Sequence, residues 1–298
     1  MPESVRSPLR RILVATDLSR AASAAVERAI ELAAAHHAGV DLVHAIDREL
    51  DDLEPAVHAR EVDEVCDRYD ELAVESGVTI VRHLQRGRAS DVIPELVAQL
   101  EPELVILGSR GRTLWDRIFL GSVADRVLRR VTRPVMIVHP TDTDDLADPR
   151  TAVVAMDGSA ASLAALDFGL RLLSPRRGPA TIRIVHADRF AANPLVRAAG
   201  ADRADAHVAE ARKQIESVCA KVLEEHASAT PDAPPVVVEY VVEAAHPAEL
   251  VCREADQCGA DVVCVGAQGE IGLEALLLGS TAERVINGAN CPVVAVRG

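Results

Sequence analysis

The sequence predicts an α/β chain made of two doubly wound, Rossmann-like parallel-sheet domains, and three observations carry that prediction. Short β-branched apolar runs alternate with longer stretches of helical periodicity, the pattern of strands separated by crossover helices. Most of these runs are apolar throughout, as befits strands covered on both faces. The whole pattern is written twice along 298 residues, a length comfortable for two domains and long for one.

The elements follow in order. The first half opens with Ile12-Leu13-Val14-Ala15-Thr16-Asp17-Leu18-Ser19 and the second with Ala152-Val153-Val154-Ala155-Met156-Asp157-Gly158-Ser159. Each is a strand ending in an acid, a spacer and a serine before an alanine-rich helix. Val26, Ile30, Ala33 and Ala34 mark the apolar face of the first such helix. Leu42-Val43-His44-Ala45 matches Ile184-Val185-His186-Ala187 as a second strand. Ile93, Leu96, Val97 and Leu100 give another helical face, and Leu104 to Gly108 matches Val262 to Gly266 as the fourth strand. Val135–Val138 and Val293–Val296 close the halves, so each reads as five strands and four helices. The second copy is longer by about 16 residues, with Phe190 to Ala206 and Pro231 to Pro235 as candidate insertions. The expected boundaries are 1–140, a polar, acidic linker at 141–149, and 150–298.

Composition narrows the function. A net charge of −14 argues against a nucleic-acid surface, which needs a clustered basic face. The N-terminal residues lack the apolar core of a signal peptide, and no run approaches a membrane span. The six cysteines contain no Cys-x-x-Cys pair, and a reduced, cytoplasmic chain without membrane partners is expected. His44 and His186 read as core or crevice histidines. His36 and His37 read as cations at a helix end.

The sharpest signal follows the fourth strand. Gly108-Ser109-Arg110-Gly111 is followed nine residues later by Gly121-Ser122, and Gly266-Ala267-Gln268-Gly269 by Gly279-Ser280 at the same spacing. Glycines without a Cβ let an anion reach backbone N–H groups. Gly121 and Gly279 stand where the next helix starts, and a helix N-terminus favours phosphate. Arg110, Arg112, Arg117 and Arg126 surround the first loop. The second has Gln268, Glu270 and Glu274, with Arg284 as the nearest cation. A nucleotide should therefore prefer the first domain. Asp17 and Asp157 are expected either to cap helices or to meet ribose hydroxyls or a divalent ion.

This Gly-x-x-Gly-x9-Gly-Ser signature, the acid after strand one and the closing Pro-Val strand together resemble the universal stress protein family of the ATP-binding type, in tandem over nearly the whole chain. The resemblance implies strand order 3-2-1-4-5 with ATP between strands 1 and 4; a Mg ion beside the phosphates is left open, as the divalent ion that Asp17 or Asp157 could help hold. It implies that Ala15, Asp17 and Ala45, or Ala155, Asp157 and Ala187, border adenine and ribose. Gly108, Arg110, Gly111, Gly121, Ser122 and Val123 would then hold the phosphates, as would Gly266, Gly269, Gly279, Ser280 and Thr281. Two departures stand out: relatives often carry proline at Ala15 and Ala155, and the turn glycine Gly87 is Ala244 in the second copy.

A Walker Gly-Lys-Ser/Thr and a Gly-x-Gly-x-x-Gly after strand one are both missing from the sequence. A regulatory or sensing ATP-binding module with at most slow hydrolysis is therefore expected. The alternatives are an adenine-nucleotide α-hydrolase-like enzyme and a nucleotide-free interaction protein. The apolar closing strands are each expected at a sheet edge, covered by the other copy in an intramolecular pseudo-dimer, with further homodimerisation open to it.

Overall fold

The structure, a computed structural model, describes residues 8–46, 55–109, 120–140, 142, 146, 148–173, 178–194, 201–231, 233–268 and 278–298. It divides into two compact units that meet in the chain between Ala147 and Asp148.

In the first unit the described elements are β1 (Arg11–Thr16), α1 (Arg20–His36), β2 (Gly39–Ile46), α2 (Pro55–Glu75), β3 (Ile80–Arg86), α3 (Ala89–Leu100), β4 (Leu104–Gly108), α4 (Ser122–Arg130) and β5 (Val135–Val138). All the pairings of these strands are parallel, β3 on β2, β2 on β1, β1 on β4 and β4 on β5. The order is the expected 3-2-1-4-5. The second unit repeats it with β6 (Thr151–Ala155), α5 (Ala160–Leu172), β7 (Ala180–Ala187), α6 (Ala201–Ala229), β8 (Val236–Glu243), α7 (Pro247–Cys258), β9 (Val262–Gly266), α8 (Ser280–Gly288) and β10 (Val293–Val296).

The central strands earn their burial by composition. Ile12, Leu13 and Val14 of β1 and Val153 and Val154 of β6 are fully buried, and Val26, Ile30 and Ala33 of α1 close over their sheet. The outer strands differ from the expectation of apolar runs covered on both faces. β3 mixes Arg82, His83 and Arg86 with apolar residues, and Val81 and Leu84 are nearly half exposed. An outermost strand has one neighbour and less helix cover, so alternation returns there.

Among the described residues α6 has 29 residues against 21 in α2. The linker is less free than its composition suggests. Asp142 and Leu146 are buried, and the Asp142 carboxylate accepts the His139 N–H at 2.7 Å. These residues pack with the first unit. His36 corrects another expectation. Its buried Nδ1 accepts the Leu9 N–H at 3.0 Å, which an imidazolium could not do. It serves as a neutral acceptor tying down the entry to β1.

All six cysteines are free. Burial pushes the Cys264 thiol up to about 12 and those of Cys219 and Cys252 to about 11, so they stay protonated and unreactive at neutral pH.

Candidate functional site

The two units build the carboxyl ends of their first strands in the same way. Ser19 and Ser159 cap α1 and α5, accepting the N–H of Ala22 and Ser162 at 3.2 Å. Asp17 and Asp157 stand one step back. Each Oδ1 accepts the N–H of that capping serine at 3.0 Å. The acids therefore brace the cap and are not the caps themselves. The residue between acid and serine is left-handed in both, Leu18 at φ 65° and Gly158 at φ 85°.

A histidine from the second strand ties this turn to its neighbour. His44 Nδ1 lies 2.9 Å from the Thr16 carbonyl and His186 Nδ1 lies 2.8 Å from the Met156 carbonyl. A carbonyl only accepts, so Nδ1 carries the hydrogen in both rings.

The glycine spacing has a geometric meaning. After β4 the Gly121 N–H returns to the Ser109 carbonyl at 2.9 Å, and after β9 the Gly279 N–H returns to the Ala267 carbonyl at 2.8 Å. The chain excursion, eleven residues between the bonded groups in each unit, is thus closed at its base, and the helix starts beside the strand end. Gly121 and Gly279 cap α4 and α8 in extended conformation, and neither offers a side-chain cap bond. The first N–H groups of both helices are left for another acceptor. Gly266 is needed for a further reason: a Cβ there would sit 2.9 Å from the Ser162 N and 3.0 Å from the Ala161 C, so α5 could not pack so close.

In the second unit these pieces surround a cavity of about 440 Å3. Ala155, Asp157, Ala187, Gly266, Gly279, Ser280 and Thr281 all line it, seven of the residues singled out in the sequence. Gly269 lies outside the described residues, as do Arg110 and Gly111 of the first copy. The remaining first-copy residues occupy the matching places: Ala15 within β1 and Asp17 just past its end, Ala45 near the end of β2, Gly108 at the end of β4, and Gly121, Ser122 and Val123 at the start of α4.

Sequence reasoning missed several wall residues. Asp188 and Arg189 come from the end of β7 and Pro247 and Val251 from α7, whereas His186, read from the sequence as a core or crevice histidine, does line the cavity. The helix residues carry no motif. Arg189 had a legible signal, since it lies at the tip of the strand next to the one bearing Asp157. Among the described residues no group of three or more His, Cys, Asp or Glu side chains is arranged to hold a metal ion. No helix among them is long and apolar enough to cross a membrane.

Comparison with known proteins agrees with this architecture. The profile of the Universal stress protein family matches residues 8–139 and again 149–297. A universal stress protein of Mycobacterium tuberculosis is 33% identical over 199 residues, 66% of this chain, and the match spans 62% of that relative's length. One from Mycolicibacterium smegmatis is 27% identical over 300 residues, 96% of each chain. The crystal structure of a universal stress protein from Archaeoglobus fulgidus shares the fold, with a TM-score of 0.64 at 20% identity over 96% of this chain and 98% of that one. This chain belongs to the universal stress protein family, as two copies of its domain in tandem.

Proposed function

We propose that the chain binds ATP as a regulatory ligand, with hydrolysis far slower than a working enzyme's. One observation carries this reading: seven residues selected from the sequence for nucleotide contact line a single cavity at the carboxyl ends of β6, β7 and β9. Its volume falls in the ordinary range of ligand sites, roughly 300–1,000 Å3. The uncapped N-terminus of α8 at its wall supplies N–H groups and a positive dipole end for phosphate. Asp157 has Oδ1 engaged by Ser159, so its second oxygen is the atom that would meet a Mg ion carried in with the phosphates.

The first-half site is proposed to be the tighter one, because Arg110, Arg112, Arg117 and Arg126 cluster around its loop in sequence. Calorimetric titration with Mg-ATP tests both sites. Gly121 has φ −60° and Gly279 φ −65°, values any residue adopts. Valine at either position therefore obstructs the approach of phosphate without straining the backbone. Gly121→Val should abolish the stronger phase and Gly279→Val the weaker; unchanged isotherms in both variants would sink the assignment. A turnover of about 10 per second that survives repurification and disappears in Asp17→Ala would make the chain an enzyme instead.

The pairing of the two closing strands in a pseudo-dimer, expected from the sequence, belongs to the same proposal. So does a cytoplasmic location. Cysteines introduced at Ile137 and Ala295 check the pairing by oxidative cross-linking, sedimentation checks further dimerisation, and cell fractionation checks the location.

A further inference from the structure

We propose that the second-half cavity selects a nucleoside 5′-phosphate carrying a second phosphate on its ribose, and that Arg189 reads that second phosphate. The inference rests on the nucleotide reading above and specifies the ligand of one of its sites.

In the dinucleotide-binding doubly wound folds, whose glycine turn after strand one this chain lacks, the residue at the tip of the second strand meets the ribose. An acid there takes the ribose hydroxyls, whereas an arginine nearby accommodates a ribose phosphate. The end of β7 is that place. Asp188 follows the strand directly and lines the cavity, but its carboxylate is already spent. Oδ1 accepts the N–H of Phe190 at 3.0 Å and of Ala191 at 2.9 Å, and Oδ2 lies 3.1 Å from His207 Nδ1. Phe190 stacks on the same His207 ring with centroids 4.6 Å apart. Asp188 thus holds a turn together from a buried position and has little left for a ribose hydroxyl.

What the turn presents to the cavity is the next residue. Arg189 is exposed, lines the cavity and takes no hydrogen bond or ion pair among the described residues. It is the one Lys or Arg among the described lining residues, whose other charged side chains are Asp157 and Asp188. Counted from His44 and His186, the first copy has Asp47 at the place of Arg189, with Arg48 one residue later. The 5′-phosphate place, at Gly266 and the start of α8, lies two strands away across β6, about 10 Å at the usual strand spacing. A nucleoside lying across that gap puts its ribose edge toward Arg189. A guanidinium there gives a phosphate two parallel N–H donors, where a hydroxyl would take one.

The test is titration of the full chain with adenosine 5′-monophosphate, adenosine 2′,5′-bisphosphate and adenosine 3′,5′-bisphosphate, alongside Mg-ATP. At least one bisphosphate should bind about tenfold more tightly than the monophosphate, a gain of about 1.4 kcal/mol. Arg189→Ala should bring that ratio to within about twofold of one. Because Arg189 is exposed, the variant should fold, and circular dichroism checks that it has. A wild-type ratio near one with ATP still bound overturns the selectivity and leaves the ATP reading standing. A ratio that survives in Arg189→Ala overturns the role of this residue. Equal weakening of ATP and bisphosphate in the variant also overturns it, since Arg189 would then be reading the phosphate chain. If no adenine nucleotide binds at all, the nucleotide reading fails and this inference with it.

Discussion

Gly158 and Leu18 occupy the same left-handed step between a bracing acid and a capping serine, at φ 85° and φ 65°. An L-residue with a side chain is disfavoured there by about 1–2 kcal/mol. The first copy bears that strain with leucine, and the second avoids it with glycine. Nothing lies within 4 Å of a Cβ built on Gly158, so replacing it isolates the backbone term from any clash. Gly158→Ala should destabilise the second unit by about 1 kcal/mol, seen as a lower urea midpoint at unchanged slope. An unshifted midpoint would mean that the turn relaxes to another conformation. The same turn holds Asp157 toward the cavity, so the residue-scale geometry has a functional stake.

At the scale of elements, each unit binds its outer strands with a charge network. In the first, Asp41 on β2 is buried and accepts two bonds from Arg11 of β1, at 2.5 and 3.1 Å, and lies 2.7 Å from His83 Nε2 of β3. In the second the signs are reversed. Arg183 on β7 meets Glu239 of β8 at 2.7 Å and Glu254 of α7 at 3.3 Å. Either sign works, because what a covered charge requires is a partner. Burial alone would raise the Asp41 carboxyl, but the hydrogen bonds and charges of Arg11 and His83 outweigh it and hold it below its usual 3.8. A carboxyl lowered on folding stabilises the fold above its unfolded value, and that stability is lost as pH falls through the folded value. Wild-type stability should therefore decline below about pH 4. Asp41→Asn should be less stable by about 2 kcal/mol at pH 7 and show a shallower acid decline. Parallel acid profiles for the two proteins, followed by circular dichroism, would remove Asp41 from this role.

For the whole molecule, the proposed ligand couples to stability by mass action. A ligand that binds only the folded chain adds about 2.7 kcal/mol at a hundredfold excess over its Kd. For a unit of this size that raises Tm by roughly 5–10 °C. Mg-ATP should produce such a rise in a thermal scan, and Gly121→Val and Gly279→Val together should cancel it. A melting curve that ignores millimolar Mg-ATP would count against nucleotide binding in either unit. Because each half is a compact unit with its own set of candidate ligand residues, the single valine variants should each leave the other unit's response in place.

Much of this protein was legible in the sequence because its signals are local or repeated. Apolar runs such as Ile12–Val14 and Val262–Val265 declare buried strands by composition alone, and duplication marks the start and end of each element twice. The glycine spacing was equally plain, since closing an eleven-residue loop on the Ser109 or Ala267 carbonyl depends on chain length more than on side chains. What only the tertiary structure decided depends on groups brought together from distant segments. His36 became an acceptor because Leu9 reaches it across 27 residues. Asp41 and Arg183 became opposite solutions to one problem through partners on other strands and helices. Arg189 was one arginine among many until β7 set it at the mouth of the cavity beside a carboxylate already engaged. Periodicity records which face a residue turns to the core. Its partner across the fold is fixed only when the strands are ordered.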